Sequence, residues 1–131
     1  MALAKSAVIV ELSQVDPKFA KAAYVTKAGD LSKEVVLYDL VLVATYFRPE
    51  KTAGGIIRPE DNIREDEYQG KTGLILKMGE EISQPRVAVG DWVVYSIKDG
   101  WPVAIGPHKL PCRLVPHDRI RMKTSSPETV F

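Results

Sequence analysis

Three side chains toward the C-terminal end have the chemistry of metal ligands or nucleophiles: His108, Cys112 and His117. Imidazoles and a thiol hold zinc when they come as closely spaced pairs with a fourth ligand to complete the tetrahedron. Here the spacings match no such pattern, Pro107, Pro111 and Pro116 stand among the three, and no fourth ligand is obvious. The plainer reading is loop and strand punctuated by proline, with Cys112 a small apolar core residue. Hydrolytic chemistry has no better footing. Serines, histidines and aspartates are present, but no pattern sets a serine on a strained nucleophile elbow. Asp39, Asp91 and Asp118 fall at expected strand starts, where aspartate commonly closes turns. Ala53-Gly54-Gly55 is not a phosphate loop, because neither Gly-Lys-Ser/Thr nor a helix follows it. The expectation is a protein that is not an enzyme, with no metal and no cofactor.

The residues that stand out do so for binding rather than for reaction. "FRPEKTAGGIIRPEDNIREDEYQG" (residues 47–70) carries six acids and four bases, with Lys71 just past its end, and shows no apolar periodicity. A loop that long inside a compact domain is uncommon and usually functional or disordered. Gly54-Gly55 gives it backbone freedom. Ile56-Ile57 then reads as an apolar anchor offered to a groove or sheet edge on another chain.

Stepping outward to the elements that must carry this loop, 131 residues fit one domain, and a 45% hydrophobic, 27% charged chain is ordinary for a globular protein. A net charge of +1 gives no bulk pull toward nucleic acid or membrane. The longest apolar runs are far below the ~20 residues of a membrane helix. A single cysteine allows no intrachain disulfide and suits a reducing compartment. "MALAKSAVIVEL" at the start does not pattern as a signal peptide, since Glu11 follows the short apolar stretch.

Val8-Ile9-Val10 suggests a short strand. Asp16-Pro17 then starts a helix that Gly29 ends, with Phe19, Ala20, Ala23 and Tyr24 on one face. Lys18, Lys21 and Lys27 read as its solvated face. From Val35 the chain turns β-branched and aromatic. "VVLYDLVLVATYF" predicts one long strand or two short ones, and 72–79, 89–97, 112–116 and 118–122 predict further strands. Asp99-Gly100 predicts a hairpin over 92–105, with Trp92 and Trp101 flanking the turn and packing in the core or across strands. Many short strands punctuated by Gly and Pro indicate an all-β fold, a small barrel.

Four stretches in order carry a resemblance. "YDLVLVATYFRPEKTAGGIIRPE", "YQGKTGLILKMG", "VAVGDWVVY" and "CRLVPHDRIRM" resemble the GroES family of ten-kilodalton co-chaperonins over about three quarters of the chain. The set looks closest to the divergent members encoded by bacteriophages. The resemblance implies a partly open GroES-like β-barrel that forms homo-oligomeric rings. It also implies a loop docking on a chaperonin through the hydrophobic tripeptide after Gly-Gly, here Ile56, Ile57 and Arg58. Three features depart from the family. Arg58 stands where a third apolar anchor is expected, and an unpaired arginine is costly to bury. The stretch between Gly79 and Val89 is short where the family inserts a roof hairpin. Residues 1–34 have no counterpart.

The expected organisation is an N-terminal arm containing a short helix (1–34), a β-barrel with the extended loop 47–70 (35–124), and a polar tail (125–131). Two functions follow from it. The first is a structural protein of a bacteriophage virion, a capsid cement or decoration protein touching the major capsid protein or other virion subunits through the arm and the loop. The second is a phage-encoded co-chaperonin acting in the host cytoplasm, capping a host chaperonin ring. Either way the expected partner-binding residues are Gly54, Gly55, Ile56, Ile57 and Arg58 in the loop and Phe19 and Tyr24 in the arm. Neither nucleic acid nor membrane is an expected partner.

Overall fold

The structure, a computed structural model, describes residues 11–47 and 72–127. The strand expected at Val8–Val10 and the segment from 48 to 71 lie outside the described residues.

Helix formation begins as anticipated at Asp16-Pro17. The Asp16 carboxylate accepts the backbone N–H of Lys18 (2.9 Å), and a 3-10 turn over Pro17–Phe19 feeds helix α1, Ala20–Ala28. Gly29 ends it with φ +77°, donating its N–H to the Val25 carbonyl. Nine residues make too few hydrogen bonds to hold a helix in water unaided. The stabilising contact is one buried stripe at i, i+4 spacing: Ala20, Tyr24 and Ala28, with Ala23 partly covered. Two alanines on that stripe let the helix axis approach the sheet closely, and Tyr24 fills the space beneath.

Six strands form one antiparallel sheet in the order β4-β5-β1-β2-β3-β6. β1 (Leu40–Thr45) lies inside, paired with β2 (Thr72–Met78) and β5 (Leu110–Pro116). β3 (Trp92–Val94) pairs with β2 and with β6 (Met122–Thr124), and β4 (Trp101–Ile105) lies beyond β5. Among the described residues β4 and β6 do not pair with each other, so the sheet is open rather than closed into a barrel. Edge position explains why β4 tolerates Pro102, which has no N–H to give an outer neighbour.

The inner strand sets up two cores. Leu42 and Ala44 join Leu74, Leu76, Trp92, Leu110 and helix α1 on one face, while Val41 and Val43 join Ile75, Val93, Tyr95 and Val115 on the other. Register slips once: Leu42 opposes Lys77 and Val43 opposes Ile75, leaving Leu76 as a bulge. The extra residue keeps Leu76 in the helix-side core and brings Lys77 to the same side. There the Lys77 ammonium donates to the carbonyls of Leu31 (2.6 Å) and Glu34, fixing the link between helix and sheet.

Several expected boundaries shift. The run 35–47 yields only β1, because Tyr38 adopts φ +58° and the chain turns through 37–39 before entering the sheet. The hairpin over 92–105 does not form: a 3-10 turn at Ile97–Asp99 carries the chain away from β3, and β4 pairs with β5. The actual hairpin turn is Gly106–Lys109, made by positive φ at Gly106 and Lys109 and closed by the Lys109 N–H on the Gly106 carbonyl (3.1 Å). Residues 118–122 are not a strand; His117–Arg119 is a 3-10 turn and pairing resumes at Met122.

Gly73 sits where the sheet leaves no room for a side chain. A Cβ there would lie 2.3 Å from Val43 Cγ1 and 2.5 Å from the Ala44 carbonyl oxygen. Gly73→Ala should cost about 2–3 kcal/mol in denaturant unfolding, as overpacked backbone contacts do; an unchanged midpoint would contradict the packing described. A second expectation concerns alkaline pH. Burial raises the Cys112 thiol from 9.0 to about 12 and the Tyr95 hydroxyl from 10.0 to about 12. Both are acids held neutral by the fold, so their stabilising effect is complete below the unfolded values and fades as pH climbs from about 9 toward 12. The melting temperature should therefore fall across that window, and a flat profile would count against it.

Candidate partner-binding site

The two chain ends from which segment 48–71 departs lie side by side. Tyr46 and Phe47 continue β1 into the core, and the Tyr46 N–H donates to the carbonyl of Thr72 (2.9 Å), closing the ladder one residue before the last described residue on that side and at the first on the other. Beneath this root three aromatic rings interlock. Tyr46 meets Trp92 edge-on at 5.4 Å, and Tyr24 lies 5.9 Å from Trp92 edge-on and 6.1 Å from Tyr46 in a stacked pose. Such pairs each add about 0.5–1.5 kcal/mol beyond area burial. The buried Phe47 N–H donates to the Tyr24 hydroxyl at 2.6 Å. The described residues on either side of the segment carrying the Gly-Gly-Ile-Ile stretch thus rest on a buried, hydrogen-bonded base.

Of the residues expected to bind a partner, Gly54, Gly55, Ile56, Ile57 and Arg58 lie outside the described residues. Phe19 and Tyr24, expected together on one face, part company. Tyr24 is wholly buried in its own chain's core, whereas Phe19, one residue before the helix proper, is 65% exposed. The tryptophans divide likewise. Trp92 is core, and Trp101 is 75% exposed on edge strand β4. Beside Trp101, Leu40, Pro102, Leu114 and Pro116 line a shallow, mainly apolar groove of about 380 Å³.

The residues with ligand or nucleophile chemistry are dispersed. His108 is exposed in the β4–β5 turn, Cys112 is buried beneath the helix, and the His117 Nε2 accepts the Arg86 N–H (3.0 Å) in the 3-10 turn after β5. Among the described residues no three metal-ligating side chains converge. Burial holds the Cys112 thiol protonated and so makes it a poor nucleophile. Asp91 does turn work, its carboxylate accepting the Ala88 N–H (2.8 Å) while pairing with Lys123 at 3.5 Å. On the helix side, the Lys27 ion pair and hydrogen bond hold the exposed Glu11 carboxyl below its ordinary range.

Tyr46, Phe47 and Thr72 are the site residues that sequence reasoning passed over, whereas Trp92 packs in the core as expected. The available signal was position: an aromatic pair directly before a charged segment, and a Thr-Gly directly after it.

Compared with known families, the chain matches the Cpn10 family, the chaperonin 10 Kd subunit, over residues 34–122. No individual curated protein matches it. The match runs from before β1 through the first residue of β6 and begins after helix α1, so the helix that covers the aromatic base lies outside it.

The two tryptophans give a direct check on this geometry. Trp92→Ala should cost about 3–5 kcal/mol of stability as a core truncation. Trp101→Ser should change the folded monomer by less than ~0.5 kcal/mol, as an exposed substitution does. Equal losses in thermal unfolding of the two variants would contradict the assignment of one tryptophan to the core and the other to the surface.

Proposed function

Because the chain belongs to the chaperonin 10 Kd subunit family, we propose that it acts as a non-enzymatic co-chaperonin subunit. Copies associate side by side into a ring, and each presents Gly54-Gly55-Ile56-Ile57 to a chaperonin partner. The observation that carries the reading is the family match itself, which runs continuously across residues 34–122 and so covers the sequence on both sides of that stretch. The sheet supports it in two ways. Among the described residues β6 lies at the sheet's edge, contains no proline and leaves Met122 46% exposed, a setting in which a neighbouring chain can add to a sheet. The root at Phe47 and Thr72 is rigid, which lowers the entropy lost when the segment docks. Exposed Phe19 is a further apolar contact for a neighbouring subunit.

A second reading, a decoration protein on a bacteriophage capsid, is favoured by Arg58, which weakens an apolar docking tripeptide. We rank it second because Leu12, Ala20, Tyr24 and Ala28, apolar residues of the arm that would strap onto a shell, are buried in their own chain's core.

Binding to purified chaperonin rings with nucleotide, followed by sedimentation, separates the readings. Ile56→Ser with Ile57→Ser should weaken association at least a hundredfold, since each buried isoleucine contributes about 1.5–3 kcal/mol. Arg58→Leu should tighten it about tenfold on the same scale. Absence of binding by the unaltered chain, together with stoichiometric recovery of the protein from purified virions by mass spectrometry, would replace the first reading with the second.

A further inference from the structure

Helix α1 lies outside the family match, yet it is fastened to the point where the matched sheet gives rise to segment 48–71. Phe47 is the last described residue on one side of that segment, and its amide is buried. The donor is met by the Tyr24 hydroxyl at 2.6 Å, reaching down from the middle of the helix. A buried amide left without an acceptor is unfavourable, so the hydroxyl adds to the core packing of Phe47 in holding position 47 in place. Phe47 is also tied to the other side of the segment, because the preceding Tyr46 N–H donates to the Thr72 carbonyl. The same tyrosine ring packs on Tyr46 and Trp92, and Trp92 opposes Leu74 in the β2–β3 ladder.

The helix is itself held at its far end. Gly106 of the β4–β5 turn approaches the Ala28 carbonyl so closely that a Cβ there would lie 2.6 Å from its oxygen, and the Pro107 ring lies 3.7 Å from a Cβ built on Gly29. One short element therefore spans from the hairpin turn to the segment root, and its single deep side chain ends on the root's amide.

We propose that helix α1 is a clasp and Tyr24 its positioning residue, holding in the core Phe47, the last described residue before 48–71. The consequence for docking rests on the co-chaperonin reading above; the clasp itself does not. Unclasping frees Phe47 to rotate toward water, and a segment leaving from a loosened root loses more entropy on binding.

Tyr24→Phe keeps the ring and removes the hydroxyl that accepts from the Phe47 amide. Amide hydrogen exchange read residue by residue should show Phe47 exchanging at least tenfold faster in the variant, with Val43 and Ile75 changing less than about threefold. Equal protection at Phe47, or a uniform acceleration across the sheet, overturns the clasp. Should the variant not fold, the unaltered chain still decides the matter. In low denaturant the Phe47 amide should open together with the amides of helix α1, and opening with β1 instead overturns the proposal. In the chaperonin-binding assay Tyr24→Phe should lose affinity severalfold with the Ile56-Ile57 stretch intact, and unchanged affinity sinks the positioning role. If the unaltered chain binds no chaperonin, the functional reading fails while the exchange result still judges the clasp.

Discussion

β1 is apolar on both faces, and a strand of that kind must be covered twice. Val41 and Val43 point into one core, Leu42 and Ala44 into the other, and five of its six residues are buried. Flanking strands satisfy its backbone but cover neither face. One face is closed by residues such as Val87 and Tyr95, with Ile82 and Ile120 packed against them, and the other by helix α1 with Leu12 beside it. Much of the remaining architecture follows from this need. The bulge at Leu76 directs an extra apolar side chain toward the helix, and Lys77 then ties down the link from helix to sheet.

Covering that face creates a polar debt that the helix also settles. Once Phe47 is carried under the helix its amide cannot reach water, and the Tyr24 hydroxyl takes its place. A buried hydrogen bond and three aromatic contacts thus gather beneath the end of the chain that continues into residues 48–71. Cys112 and Tyr95 are both held neutral by desolvation, while His117 and Asp91 accept backbone N–H groups of nearby loops.

Legibility in the sequence tracked the range of the interaction responsible. The helix and its ends were readable because Asp16, Pro17 and Gly29 act on their own neighbours in the chain. β2 was readable because "TGLILKM" is a β-rich run ending at a glycine. The Asp99-Gly100 hairpin misled because a turn signal fixes a bend but not which strands meet across it. The true turn relies on Lys109 at φ +52°, a conformation no local preference would assign to lysine. Phe19 and Tyr24 share a sequence neighbourhood and an aromatic character, yet only one is buried, since burial depends on where the helix meets the sheet.

By itself, the sequence determined the β-rich class, the helix with its caps, the family resemblance carried by four ordered stretches, and the unusual character of residues 47–70. Each is a property of composition or of short-range spacing. Tertiary structure decided the strand order, the open edges at β4 and β6, the separation of Trp92 from Trp101, and the seating of Tyr24 on the Phe47 amide. Those depend on contacts between residues far apart in the chain, such as the 23-residue separation bridged by that last hydrogen bond. Periodicity shows that a side chain seeks burial; only the assembled sheet specifies which polar group lies beneath it.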